Sequence, residues 1–382
     1  MKKITLLVLL LSTFISLAQK TTEEIISEKL NETRELSIKL PASYEKNKNK
    51  KYPLLLLLDG DYLTDPFDGV TSYTSYWDDL PEVIIVGISQ NKNNERETDC
   101  STSPDTGLPA ESGEKFFDFI GMEVLPYIEK NYRVAPFKII AGHDVTAGFT
   151  NFFLYKDNPV FNAYINFSPV LATEMETRIA ARLTAMEKPI FYYLATADGD
   201  VARLKKAIKT LDENIKGVTN PMLRYRFDEF AGNTHYSLVP NAIPSALYHI
   251  FSSYQPITSA EYQKLAAQKE GYVKYLEDKY DMIENELGVK MTIRLNDFKA
   301  IEAAILKNGA FHELRDLAEL AKKNYPKTII GEYYEAMFLE NTGELKKAIK
   351  VYNNSYNFEE IGGITHDFMI QKAEELKAEL AD

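Results

Sequence analysis

The segment Gly142-His143-Asp144-Val145-Thr146-Ala147-Gly148 constrains this chain more than any other. An apolar run, Phe137-Lys138-Ile139-Ile140-Ala141, leads into it, and a helix-like stretch, Phe149-Thr150-Asn151-Phe152-Phe153-Leu154, leads out. A strand that passes into a helix within so few residues needs small side chains at the turn, because the two backbones come close there. The sharp turn lifts one side chain clear of the sheet at the helix N-terminus. In this chain that residue is Asp144. Thr146 follows two positions on, and its β-branched side chain is expected to crowd the turn.

The surrounding sequence alternates short apolar runs with amphipathic stretches from Leu36 to about Tyr254. Leu54 to Leu58, Val83 to Ile88, Phe137 to Ile140, Tyr164 to Phe167, Ile190 to Ala195 and Leu223 to Phe230 read as strands. Several are apolar on successive residues, the pattern of a parallel sheet covered on both faces. Ser112 to Tyr132 sets Phe116, Phe117, Ile120, Val124, Leu125 and Ile128 at helical spacing, with Ser112 as the expected N-cap. Val201 to Ile215 reads as a second amphipathic helix. This alternation predicts an α/β fold with a doubly wound, mostly parallel sheet.

After Pro256 the pattern changes to Glu, Lys, Ala and Leu at helical spacing. Gly309, Phe311, Leu314, Ala318 and Ala321 recur as Gly343, Leu345, Ala348, Tyr352 and Ser355, 34 residues later. That is the period of tetratricopeptide (TPR) helix pairs. The expected organisation is a leader over residues 1–18, an α/β domain over about 30–255 and a small all-helical, TPR-like domain over 258–382.

The leader rests on Lys2 and Lys3, the apolar core Ile4 to Ile15, and Ser16-Leu17-Ala18 ahead of Gln19. That run is too short to stay as a membrane anchor, so an exported protein, periplasmic or secreted, is expected. The core is well supplied: 45% of residues are hydrophobic, with 20 Phe and 24 Tyr. One cysteine, Cys100, excludes an intramolecular disulfide and a cysteine-rich zinc site. No metal or cofactor is expected. A net charge of −12 argues against nucleic acid as the partner.

A side chain lifted on a strand–turn–helix suits nucleophilic catalysis, which also needs a base and an orienting acid. Five histidines are available. His312 and His366 belong to the helical tail, His249 to an amphipathic run, and His143 reads as a packing residue within the turn. His235 follows a strand and the turn Gly232-Asn233-Thr234, and is the candidate base. The acid should follow the strand ending at Ala195, where Asp200 is the first choice and Asp198 the alternative, one of the two being a turn former. Backbone donors for a developing oxyanion would come from Val145 and from Gly60 and Asp61 in the loop Asp59-Gly60-Asp61-Tyr62.

These features together resemble the esterase D and enterochelin-esterase group of α/β-hydrolases, which includes bacterial feruloyl esterases. The likeness is carried by Leu36 to Pro41 and Tyr52-Pro53, then by Leu57-Leu58-Asp59-Gly60-Asp61 and Ser112-Gly113. It continues through Glu123-Val124-Leu125-Pro126-Tyr127-Ile128 and Tyr132-Arg133 to the Gly142-His143 elbow and Gly232-Asn233-Thr234-His235-Tyr236-Ser237. The resemblance implies a cofactor-free serine esterase with His235 as base, Asp200 as acid and Gly60–Asp61 as oxyanion loop. It breaks at the nucleophile, where Asp144 replaces serine, and again at Thr146.

An aspartate at the elbow admits three readings. A carboxylate attacking an ester gives an anhydride that collapses back, which makes the chain a pseudo-esterase. Alternatively Asp144 displaces at saturated carbon, as in haloalkane dehalogenases and epoxide hydrolases, which resemble the chain at Gly142-His143-Asp144. In the third, Asp144 is a general base on water. Outside catalysis, the pocket could bind a small ester or aryl ligand, Tyr62, Phe67, Tyr73, Tyr76 and Trp77 could stack on an aryl or sugar group, and the helical tail could hold a protein partner.

Overall fold

The computed structural model describes residues 21–381; the leader expected over residues 1–18 lies outside them. The chain divides into two compact units between Ile250 and Phe251.

The first unit is an eight-stranded sheet flanked by helices. In chain order its elements are β1 (Thr21–Ser27), β2 (Glu32–Lys39), β3 (Tyr52–Leu57), α1 (Gly60–Tyr76), β4 (Ile84–Ile88), α2 (Glu95–Asp99), α3 (Ser112–Asp118) and α4 (Leu125–Asn131). They continue with β5 (Val134–His143), α5 (Val145–Thr150), β6 (Ala163–Phe167), α6 (Met175–Thr184), β7 (Ile190–Gly199), α7 (Ala202–Lys216), β8 (Leu223–Thr234) and α8 (Leu238–Ile250). Spatial order is β1-β2-β4-β3-β5-β6-β7-β8. From β4 to β8 neighbouring strands are parallel, while β1 and β2 are antiparallel additions at one edge.

The apolar runs become strands because both faces are covered. Every residue of β3, β4 and β6 is buried, as expected where helices pack on each side of a parallel sheet. β1 and β2 carry no apolar run. In β1, Glu23, Glu24, Ile25 and Ile26 alternate between open and half-buried positions, a pattern that does not stand out without its partner strand. The expected Ser112 cap is not made. Ser112 is the first helical residue, and Glu111 before it has φ of 50° and provides no side-chain cap. The helix then passes through a π-helical turn, Phe119–Val124, before α4.

Between β5 and α5 the turn is as tight as the small residues require. A Cβ on Gly142 would stand 2.7 Å from the Ala147 nitrogen and from the Thr146 carbonyl carbon. On Gly148 it would stand 1.9 Å from the Val170 carbonyl oxygen.

The second unit is helical: α9 (Ser259–Leu265), α10 (Tyr272–Leu287), α11 (Leu295–Asn308), α12 (Glu313–Asn324), α13 (Ile330–Asn341), α14 (Leu345–Asn353) and α15 (His366–Glu379). Shifting α11 by 34 residues lands on α13, and α12 shifted likewise overlaps α14. Gly309, at φ of 68°, ends α11, and Gly343, at φ of 82°, lies between α13 and α14. One core of this unit gathers Ile329, Ala336, Ala348, Tyr352, Met369 and Ala373.

Two glycines test how far close packing governs the first unit. Gly148→Ala must move the Val170 backbone and is expected to lower stability by about 1–3 kcal/mol. Gly69→Ala, on α1 with nothing within 4 Å of the added Cβ, is expected to raise it by about 0.5–1 kcal/mol. Urea unfolding midpoints of the two variants check both signs.

Candidate active site

The ends of three strands, β5, β7 and β8, converge. Asp144 follows β5 at φ 62° and ψ −120°, a conformation costly for a residue with a Cβ. It is held there by its own N–H on the Phe167 carbonyl (3.0 Å) and by its carbonyl, which accepts from Gly148 (3.1 Å) and Val170 (3.0 Å). Asp200 follows β7 and His235 follows β8. His235 Nδ1 lies 2.8 Å from Asp200 Oδ1, and its Nε2 lies 3.9 Å from Asp144 Oδ1. The Asp144 side chain is 25% exposed, His235 12% and Asp200 not at all.

Asp200 is well supported as an anion. Besides His235 it accepts from the Thr196 hydroxyl (2.7 Å) and the Val201 N–H (2.7 Å), and Ser168 also bonds to it. Burial alone would raise its pKa, but these donors outweigh burial and hold it below the usual carboxylate range. Asp198 does something else: its carboxylate accepts the Gly232 N–H at 2.9 Å, steadying the turn after β8. The hydrogen bond to Asp200 raises the His235 pKa above its ordinary value, and the Asp144 charge adds to the rise against burial.

Sequence reasoning missed Arg96, on the five-residue helix α2. Its Nε and Nη2 donate to both oxygens of Asp59 (2.7 and 3.2 Å). Nη2 also reaches the His143 carbonyl (2.8 Å), and Nη1 reaches Asp144 Oδ2 (3.3 Å). Burial would lower the pKa of this guanidinium, but the Asp59 bonds and charge raise it instead. Thr146 belongs to the same network. Its hydroxyl donates to Asp59 Oδ2 (2.6 Å) and accepts the His143 N–H (2.9 Å). The expectation that Thr146 crowds the turn is therefore corrected: the branched side chain is buried in a hydrogen-bonded slot, and Gly142 and Gly148 provide the space.

The loop after β3 reaches the elbow through Asp59. Gly60 opens α1 with its Cα against the Gly87 backbone. The Asp61 carboxylate turns to the end of β4, accepting from the Ser89 hydroxyl (2.6 Å), the Gln90 N–H (2.9 Å) and the Asn91 amide (3.1 Å). Val145 supplies the first amide of α5, directly after Asp144.

His143 also has a defined role. Its Nε2 lies 3.1 Å from the His235 carbonyl oxygen, which can only accept, so Nε2 carries the proton. Nδ1 then offers a lone pair to the Tyr62 hydroxyl (3.1 Å), whose single proton it shares with Asp59 (2.8 Å). Burial, with His235 beside it, lowers the His143 pKa to about 4, so the ring stays neutral. Ser168, buried at φ 45°, places its hydroxyl 3.1 Å from His235 Nδ1. It sits on the Asp200 side of the ring, away from Asp144.

Of the aromatic residues read as ligand contacts, Tyr62 lies at the site and is 41% exposed, while Phe67 is buried against Phe167. Tyr73, Tyr76 and Trp77 are exposed at the far end of α1. Tyr236, 79% exposed, packs edge-on to His235 and was not anticipated as a wall.

Residues 27–212 match the model of the family described as "Putative esterase". The chain is similar to an uncharacterised protein from Capnocytophaga ochracea, with 28% identity and a TM-score of 0.85 over 94% of this chain and all of that one. An IroE-like serine hydrolase from Shewanella oneidensis is 20% identical, with a TM-score of 0.60 over 79% of this chain and 98% of its own. The BES protein from Bacillus cereus is also 20% identical, with a TM-score of 0.53 over 65% and 97% of the two chains. The latter two share the fold. No curated protein matches the chain.

The charge arrangement can be read by titration. Asp144→Asn is expected to lower the His235 pKa, and Asp200→Asn to lower it further, because the second change also removes the 2.8 Å hydrogen bond. Histidine NMR titration of the three proteins checks the order, with His143 remaining neutral above about pH 5.

Proposed function

We propose that this chain, whose residues 27–212 match the "Putative esterase" family model, is an esterase-type α/β-hydrolase that has lost serine-type acyl transfer and keeps its pocket for a small ester or aryl ligand. The carrying observation is the pair of carboxylates on opposite sides of His235, Asp200 at Nδ1 and Asp144 at Nε2. A base that deprotonates a serine must offer a free lone pair on the nitrogen facing it. Here that nitrogen faces an anion with no proton to give. Two flanking carboxylates favour the imidazolium, which has no lone pair to act with.

Asp144 is also a poor substitute nucleophile for an ester. Attack on the carbonyl would form a tetrahedral adduct that must expel alkoxide to give a mixed anhydride; the carboxylate is the better leaving group of the two, so the adduct reverts to the ester. Arg96, at 3.3 Å, further withdraws charge from the attacking oxygen. Tyr62 and Tyr236 remain as aromatic walls beside the histidines, which supports retention of an aryl-sized ligand. The basic start and apolar run of residues 2–15 support export, with Gln19 as the first residue of the mature chain.

Hydrolysis of p-nitrophenyl esters tests the reading. The natural chain is expected to show no turnover above background, and Asp144→Ser to gain at least about tenfold, since the histidine, acid and elbow remain. A fluorophosphonate probe should label Asp144→Ser and leave the natural chain, including Ser168, unlabelled. Rapid turnover by the natural chain that Asp144→Ala abolishes would replace this proposal with an aspartate nucleophile.

A further inference from the structure

In the helical unit, most buried or half-buried carboxylates have strong compensation. Glu340 meets the Lys372 ammonium (2.9 Å) and the Tyr352 hydroxyl (2.6 Å). Glu261 meets Lys279 (3.0 Å). Glu313 accepts the N–H groups of Gly271 (2.6 Å) and Val273 (2.9 Å), and Asp297 the N–H of Ile257 (2.8 Å). Glu302, on α11, is different. Its carboxylate accepts the Tyr333 hydroxyl at 2.8 Å, with Tyr334 as a second phenol donor. Lys299, one turn earlier, bears on it by charge but gives its ammonium to the Gly362 carbonyl (2.9 Å). Burial, opposed only by these groups, holds the Glu302 pKa above its ordinary value.

This carboxylate lines a cavity of about 410 Å³ between α11, α13, α15 and the turn Ile361-Gly362-Gly363-Ile364. That volume lies within the range of small-molecule sites. Apart from Lys299, the other walls are largely apolar or aromatic, including Tyr333, Tyr334 and Phe368. Leu306 and Phe368, each 39% exposed, leave it open to solvent. A carboxylate whose one charged neighbour on the cavity wall, Lys299, gives its ammonium to the Gly362 carbonyl, set among aromatic faces, is complementary to one kind of visitor: a positive charge that also presents apolar surface. A neutral apolar ligand would leave the carboxylate uncompensated, and an anion would be repelled.

We propose that this cavity binds an organic cation, an ammonium or guanidinium group on an aliphatic stem, with its charge against Glu302 and its stem along Tyr333 and Phe368. The same chemistry is available from a free amine or from a lysine or arginine side chain of a peptide. The proposal is independent of what the elbow does.

Calorimetric titration of the full-length mature chain with agmatine, with the capped peptide acetyl-Gly-Lys-Gly-amide and with n-butanol tests it. At least one cation is expected to bind saturably and butanol not to bind; the peptide binding more tightly than agmatine would identify a polypeptide source, and the reverse a free amine. Glu302→Gln keeps an acceptor for Tyr333 but removes the charge, and should weaken binding at least tenfold while leaving the helical circular dichroism unchanged. Phe368→Ala, at a partly exposed position, should weaken it about threefold or more through lost stacking. Equal binding by Glu302→Gln, binding of butanol as tight as that of the cations, or no binding of either cation to the natural chain would each overturn the proposal.

Discussion

The buried Asp59 carboxylate holds the elbow in register with the rest of the sheet. It takes two bonds from the Arg96 guanidinium, one from Thr146 and one from Tyr62. A carboxylate with no solvent contact must be compensated this fully, because removing an ion from water costs several kcal/mol. Each donor is committed elsewhere too. Arg96 binds the His143 carbonyl and Asp144, Thr146 binds the His143 N–H, and Tyr62 meets the His143 ring. One buried charge thus ties the end of β3, the helix α2 and the turn after β5 into a single unit.

That unit has its own support. Gln90 accepts the Asp59 N–H (3.0 Å) and donates to Asp99 (3.0 Å), which pairs with the buried Arg34 of β2 (2.6 Å). The antiparallel edge therefore does more than extend the sheet: Arg34 anchors the short helix from which Arg96 projects. A five-residue helix has little stability of its own, so the placement of Arg96 depends on these buried bonds.

Around the elbow, charges alternate in space: Asp59, Arg96, Asp144, His235, Asp200. Each anion is flanked by a cation or a group biased towards one. The histidine's bias towards imidazolium comes first from the Asp200 hydrogen bond and charge, and the Asp144 charge on its other side adds to it. His143 stays neutral between Tyr62 and the His235 backbone, so it fixes the His235 loop without adding a second charge.

Local sequence was enough for the parallel strands, since a segment buried on both faces must be apolar throughout. It was also enough for the elbow, since only small residues tolerate the approach of Val170 and Thr146, and for the chain order of Asp144, Asp200 and His235 at three strand ends. The 34-residue spacing likewise marked where the tail turns, because glycine accepts the left-handed conformation that ends α11. The edge strands β1 and β2 were not legible, for their half-polar pattern acquires meaning only beside β4. Arg96 carried no signal either, lying in a polar stretch between strands whose arginine could have pointed anywhere into solvent. The fate of Thr146 was misjudged for the same reason: a β-branched residue crowds a turn or is welcomed by it according to what lies opposite, and Asp59 lies opposite from 87 residues away in the chain. Periodicity and residue size are properties of a segment and determine its backbone, whereas the compensation of a buried charge is a property of several segments at once, and only the tertiary structure decides which of them meet.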